Sequence, residues 1–465
     1  MQWQEKMSEL AEKIKKRDDF VVIYHYDADG CSSGAIMATC LEREGKKVTK
    51  KWVKQLYKET ITEIKGLGKN YVFVDFGSGQ LSYLIEEFGD NLFVFDHHQT
   101  SDAIHPNHFS PFDYGINGGN EISAAGVAYL FAKTLNEKNK DLVTLALVGA
   151  TGDMQDFSGS FKGINNEIIA EGIEQGIILK ENDLKLYGRV SRPLIQFLMF
   201  ASAPMLPELT ANEENCKNFL QELGIELKQT ERWRTYIDLN KDEKQKLSTA
   251  LILHLNKHNV PEWKIKELFG DVYIFPKENR RSPLSEAKEF ATMLNACGRH
   301  GHAEIGVEVC MGDRGEYYLE AMSLMQEHRR QLRKGIEFVT QNGLDEEEQF
   351  YYFDAGAEIK ESIVGIVAGM LYGSETIESN KPVIAVAHNE DGSLKISGRA
   401  TKELIQKGIN LGTAFKEICA ELGNNAEGGG HAIAAGLKIE KENLKEFLLK
   451  LNEKLKQQKK QLTYT

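Results

Sequence analysis

Residues 20–34 read FVVIYHYDADGCSSG, and this stretch decides the fold. The six residues from Phe20 are nearly all apolar, the pattern of a short strand buried on both faces of a parallel sheet. The chain then sets His25, Asp27 and Asp29 on alternate positions before breaking into Gly30 and a run of small residues. Alternate positions of an extended chain share a face. Like charges on one face repel unless something cationic sits between them, and a metal ion would meet that need. Gly30 and the CSSG that follows would bring helix N–H groups close to a phosphate.

Outward from this stretch, CSSGAIMATCLEREG reads as a helix closed by Gly45. NYVFVDFGSG predicts a second strand near 71–76, and NLFVFDHH a third near 91–96, after the helical QLSYLIEEFG. LVTLALVGATGD is helix or strand by pattern alone. Strands alternating with helices over the first 150 or so residues predict an α/β fold with a doubly wound, mostly parallel sheet. Ligands of such sheets collect beyond the carboxyl ends of the strands, where the reading places Asp27, Asp75 and Asp96. The expected division is a catalytic domain over 1–185, a mostly helical insertion with a connecting helix over 186–345, and a smaller α/β domain with a C-terminal helix over 346–465.

A chain of 465 residues is too long for one ordinary core. Its 57 Lys and Arg against 69 Asp and Glu give a net charge of −12. That balance argues against wrapping nucleic acid over the whole surface and leaves room for a local basic groove. Six cysteines without a CxxC pair indicate neither a thiolate zinc site nor a disulfide framework. The apolar stretch from Ile363 to Gly373 is too short to span a bilayer, and the charged start lacks a signal-peptide core. A cytoplasmic protein without membrane contact is expected.

The candidate ligands are His25, Asp27, Asp29, Asp75, Asp96, His97, His98 and Asp153. Carboxylates with imidazoles suit Mn, Zn or Fe, whereas carboxylates alone lean to Mg. So many ligands are more economically shared by two ions bridged by one carboxylate. One Asp before a Gly is usually a turn or a cap. The series HYDADG, VDFGSG, FDHH and TGD carries the weight.

That series resembles the DHH phosphoesterase superfamily, specifically its RecJ-like nucleases. The C-terminal ISGRATKELI and EGGGHAIAAG resemble the family's second, DHHA1-type substrate-binding domain. The two matches frame the chain from about residue 20 to 440, and the length and insertion resemble the archaeal RecJ-like group that includes the GINS-associated nuclease. The resemblance implies that His25 and Asp27 hold one metal, that Asp29, His97 and Asp153 hold the other, and that Asp75 bridges them. His98 would orient or protonate at the reacting phosphate, with Asp96 behind it. Bacterial RecJ begins its first motif with Asp where this chain has His25, a change that preserves a ligand. Two divalent ions are implied, Mn²⁺ favoured and Mg²⁺ also suited. The implied activity is a 5'-to-3' exonuclease on single-stranded DNA, with RNA as a further substrate, releasing nucleoside monophosphates in replication or repair, with the GINS complex as partner. The alternatives are a 3'-to-5' exonuclease on RNA or DNA, a phosphodiesterase for cyclic dinucleotides or short oligonucleotides, and a non-catalytic replisome scaffold.

Ser397 and Arg399 fall on alternate positions of an expected strand, and Arg can fork across two phosphate oxygens. Gly428, Gly429 and Gly430 precede His431 in a glycine-rich loop that permits close approach to an anion. Arg399 and His431 would neutralise charge developing at the phosphate. In the insertion, Arg280 and Arg299 are candidate strand contacts, with Phe275, Tyr317 and Tyr318 as stacking aromatics. HRRQLRKG near Arg330 reads equally well as a solvated helix face.

Overall fold

The computed structural model describes residues 2–462 except 102, 157–158, 202–203, 374–376 and 424–425. The chain forms two compact units, one of residues 1–199 with 213–326 and one of residues 200–212 with 327–465.

The first unit is built on a five-stranded parallel sheet in the order β2-β1-β3-β4-β5. Its strands are β1 (Asp19–His25), β2 (Lys47–Val53), β3 (Asn70–Val74), β4 (Leu92–Phe95) and β5 (His108–Phe109). The alternation of side chains divides the central strands between two cores. Phe20, Val22, Tyr24, Val72, Val74, Phe93 and Phe95 face one side. Val21, Ile23, Tyr71, Phe73, Leu92 and Val94 face the other. On the first side lie helices α1 (Trp3–Lys15), α2 (Ala28–Arg43), α5 (Ala124–Leu135) and α6 (Val143–Gly152). On the second lie α3 (Lys58–Ile64) and α4 (Leu81–Phe88). The sheet is therefore covered on both faces, which is why its strands read as apolar runs. The ambiguous LVTLALVGATGD is helical, and its one-sided periodicity is absent because Val143, Leu145, Ala146, Leu147 and Val148 are all buried.

The strands stop short of the acidic residues assigned to their ends. β3 closes at Val74 and β4 at Phe95, so Asp75 and Asp96 are the first residues beyond them. Asp27 lies two residues past β1, as the N-cap of α2.

The insertion is largely helical; its strand β7 (Phe269–Ile274) pairs antiparallel with β6 (Leu179–Leu184) just before it, and a short antiparallel pair joins Lys228–Gln229 to Arg232–Trp233. Arg189, 1% exposed, anchors the insertion. Its guanidinium donates to Glu286 (3.0 Å), Asp183 (3.0 Å) and the Leu184 carbonyl (2.7 Å), so the buried charge is fully paired. Helix α7 (Ala287–Arg299) follows Glu286 and packs Phe290 and Leu294 into the core on the α2 side of the parallel sheet. A long helix, α8 (Glu316–Asn342), begins in the first unit and ends in the second.

The second unit holds a mixed six-stranded sheet in the order β8-β9-β10-β11-β13-β12. The strands are β8 (Asp345–Glu346), β9 (Tyr351–Asp354), β10 (Val383–His388), β11 (Leu394–Arg399), β12 (Ala426–Gly430) and β13 (Ala434–Ile439). Helix α9 (Glu361–Met370) covers one face, and α10 (Leu411–Leu422) with α11 (Leu444–Leu462) covers the other. The segment read as a glycine-rich loop is an edge strand, because Gly428, Gly429 and Gly430 pair with Leu437, Gly436 and Ala435. A Cβ on Gly428 would lie 2.2 Å from that of Leu437, so glycine is what lets the two strands meet. None of the helices among the described residues is long and apolar enough to cross a membrane.

Candidate metal centre

The carboxyl ends of β1, β3 and β4 and the end of α6 converge on one acidic site. Its nearest donors form overlapping groups: His25, Asp27 and Asp75; Asp29, His97 and Asp153; and Asp75, Asp96, His97 and His98.

The first group is closed around β1. His25 Nδ1 lies 2.9 Å from Asp27 Oδ2 and 3.3 Å from Asp75 Oδ2. Asp27 caps α2 by accepting from the Gly30 N–H at 2.9 Å, which fixes the side chain while filling one orphan donor of the helix. Gly30 is required by contact: a Cβ there would sit 2.2 Å from the His25 carbonyl oxygen. Gly30→Ala is therefore expected to push α2 away from β1, to lower Mn²⁺ affinity at least about tenfold, and to lower the melting temperature. Isothermal titration and a thermal melt check both.

In the second group, Asp29 is fully buried and accepts from two helix N–H groups, Ala124 (2.7 Å) and Ala125 (2.9 Å). His97 is held by its Nδ1, 2.7 Å from the Gly118 carbonyl oxygen. That bond assigns the hydrogen to Nδ1 and leaves Nε2 as the coordinating nitrogen. Nε2 is buried, and no hydrogen bond reaches it from the described residues. Carboxylate oxygens of Asp75, Asp153 and Asp29 lie 3.3, 3.4 and 3.8 Å from it. A buried lone pair ringed by three acids is a poor hydrogen-bonding site and a good cation site, so the donors fit a divalent metal.

Asp75 stands between the groups. Its Oδ2 faces His25 and its Oδ1 faces His97. Its backbone is left-handed, φ 67°, an uncommon conformation for a residue with a side chain. Asp96 is wholly buried and has both oxygens engaged. Oδ2 accepts from Ser78 N–H (2.9 Å), while Oδ1 meets the His97 N–H (2.8 Å) and His98 Nδ1 (2.8 Å). His98, by contrast, has a side chain 54% exposed.

Charge is distributed unevenly. Burial opposes ionisation of Asp27, but the His25 imidazole and the Gly30 N–H outweigh it and hold the carboxyl well below its ordinary range. Burial likewise works against Asp96, and His98 overcomes it. Asp29 goes the other way: burial and the Asp75 charge push it up to about 7. Burial and Asp29 raise Asp153 as well. Burial works against protonation of His25 and His97, yet their carboxylate neighbours carry both well above an ordinary imidazole. Without metal, the site gathers protons where a cation would sit.

The remaining sequence candidates are distributed elsewhere. Ser397 and Arg399 share one face of β11, beneath Gly365 of α9, where an added Cβ would lie 3.1 Å from Ser397 Cβ and 2.6 Å from Arg399 Nη2. His431 is exposed at the turn between β12 and β13, its N–H donating to the Ala434 carbonyl at 2.9 Å. Arg280 donates to the Ile237 carbonyl (2.7 Å), and Arg299 ends α7. One of the aromatics is not available for stacking: Phe275 is 2% exposed, whereas Tyr317 is exposed and Tyr318 is half-buried with its hydroxyl bonded to Ser282. In HRRQLRKG, Arg330 pairs with Glu327 and Arg333 approaches Glu337, as on a solvated helix face. The sequence reading missed Gly118 and the α5 N-terminus. The SAAG at Ser123, whose hydroxyl accepts from the Gly126 N–H, is a helix-start signal that could have located the latter.

Two groups of metal donors at the carboxyl edge of a doubly wound sheet form two divalent-metal-binding clusters, the arrangement that a two-metal-dependent phosphoesterase requires. The chain has the DHH/DHHA1 domain architecture: models of the DHH family N-terminal domain, the DHH-CID domain and the DHHA1 domain match residues 19–150, 186–269 and 347–457. The uncharacterized protein MJ0831 of Methanocaldococcus jannaschii is 30% identical over 454 residues, covering 96% of this chain and 95% of the relative. The fold is similar to that of CDC45 from Entamoeba histolytica, with a TM-score of 0.65 and 14% identity over 97% of this chain and 99% of that one. It is also similar to RecJ in complex with Mn²⁺ from Thermus thermophilus, with a TM-score of 0.59 and 17% identity over 98% of this chain. The chain spans 55% of that RecJ.

Proposed function

We propose that the protein is a two-metal exonuclease that hydrolyses single-stranded DNA from the 5' end and releases nucleoside monophosphates. The observation that carries this reading is the division of Asp75, one oxygen toward His25 and the other toward His97. In this reading His25 and Asp27 hold one ion, Asp29, His97 and Asp153 hold the other, and Asp75 serves both. Two divalent ions, Mn²⁺ or Mg²⁺, would supply an acidified water as nucleophile and neutralise phosphate charge. Asp96 fixes His98 through Nδ1, so its other ring nitrogen is the one that meets the reacting phosphate. Ser397, Arg399 and His431, with the β12 glycines, are assigned to phosphate oxygens of the substrate. Arg280 and Arg299 are the insertion's assigned contacts to the strand, the former by exchanging its present carbonyl partner.

The polymer substrate is favoured because the chain carries an insertion between its DHH and DHHA1 domains. The GINS complex is the assigned partner, and co-elution with it on a sizing column checks that part alone. The main test uses single strands several tens of nucleotides long, labelled at either end, with Mn²⁺. Immediate release of mononucleotide from the 5' label alone is expected. Release from the 3' label alone would reverse the polarity and favour the 3'-to-5' alternative. Cleavage confined to dinucleotides would remove the polymer reading.

A further inference from the structure

The second ligand group rests on a buried amide clamp that lies outside both cluster and motif. The Gly118 carbonyl oxygen, which orients His97, also accepts from Gln155 Nε2 at 2.9 Å. The same Gln155 nitrogen lies 3.3 Å from the Ile122 carbonyl oxygen. Gln155 Oε1 in turn accepts from Asn165 Nδ2 at 2.5 Å. Asn165 reaches back to the loop through its Oδ1, 3.4 Å from the Ser123 N–H, and through its own N–H, 2.7 Å from the Glu121 carbonyl oxygen. Gln155 and Asn165 are 4% and 3% exposed.

These bonds tie residues 118–123 down at both ends. One end supplies the carbonyl for His97, and the other leads into the α5 N–H groups that hold Asp29. Gln155 itself follows Asp153 by two positions. Two of the three donors, His97 and Asp29, thus lean on one segment, and that segment is held by two side chains, one of them two residues from the third donor. The first group, His25 with Asp27 and Asp75, is fixed instead by the α2 cap.

We propose that Gln155 and Asn165 are positioning residues for the second metal only, setting its affinity through Gly118 and the start of α5. This rests on the two-metal reading above. Outer partners of metal ligands commonly set affinity in this way. The clamp is buried and each of its side chains is bonded, so losing one member removes a buried hydrogen-bond partner and loosens the loop.

The test is Mn²⁺ binding to the full chain, followed by the free-ion resonance signal and by the spin-coupled signal of a metal pair. Wild-type protein is expected to bind two ions. Gln155→Met, close in volume but without a donor, is expected to weaken the second ion about ten- to a hundredfold while the first binds as before. Asn165→Ala, which leaves the Gln155 amide in place, is the second variant and is expected to act in the same direction. Thermal melts in chelator show that each variant is folded before titration. Unchanged affinity for both ions in the folded variants, or an equal loss at both sites, would overturn the positioning role. A wild-type protein that binds one ion or none would instead overturn the two-metal reading.

Discussion

Asp75→Asn is expected to slow phosphodiester hydrolysis on the order of a thousandfold without unfolding the metal-free protein. The backbone at Asp75 is left-handed, a conformation asparagine adopts at least as readily as aspartate. The substitution therefore removes a charge at constant shape. That charge faces both ligand groups, at 3.3 Å from His25 Nδ1 and 3.3 Å from His97 Nε2, and it helps drive Asp29 upward. Its loss removes one source of repulsion in the empty site and the one carboxylate directed at both groups. A chelator-treated melt close to that of wild type, together with a lost rate at saturating Mn²⁺, is the expected pair of results. Near-wild-type turnover in the folded variant would remove Asp75 from the centre of the chemistry.

The second large effect is a pH dependence of stability that metal reverses. A buried carboxyl whose folded pKa is raised holds its proton more tightly in the folded state. For Asp29 the favourable contribution is complete below the ordinary value of 3.8 and is lost as pH rises through about 7. Asp153 acts in the same sense. His25 and His97, also raised, lose their contributions at still higher pH. Asp27 and Asp96 have the opposite sign: their contributions are in place above the ordinary carboxylate value and fall away only in strong acid. In chelator the melting temperature is therefore expected to decline from about pH 4 to pH 7 and beyond. Mn²⁺ competes with those protons and binds the folded state alone, so its stabilisation grows over the same range. At a concentration a hundred times its dissociation constant, one ion contributes roughly 3 kcal/mol. A metal-free melt that rises between pH 5 and pH 8, or a Mn²⁺ effect independent of pH, would contradict this account.

Much of the site was legible because its donors occur as short motifs after apolar strands. All six assigned ligands come together, although several strands and helices separate the first from the last. What stayed hidden was of three kinds. β2, KVTKKWV, is an edge strand with exposed lysines, and its polarity masks the strand pattern. EGGGH looks like a loop because glycine is depleted in strands, yet the close pairing of Gly428 with Leu437 is what requires it. Gln155 and Asn165 act through a backbone carbonyl, a relation that has no spacing rule. Phe275 shows the converse error, since an aromatic beside basic residues suggests stacking until its burial is seen.

The order of the donors along the chain has a consequence for synthesis. The first group is complete within the first 75 residues, whereas the second waits for Asp153 and its clamp at 155 and 165. A nascent chain that has released β1 and β3 holds Asp27, Asp29 and Asp75 with one imidazole, His25, and none of the cover that α5, α6 and α7 later provide. Until roughly a third of the protein has left the ribosome, its acids are gathered without the partners that make two binding groups of them. Full cation affinity thus becomes a marker that the sheet, the loop and the clamp have all arrived.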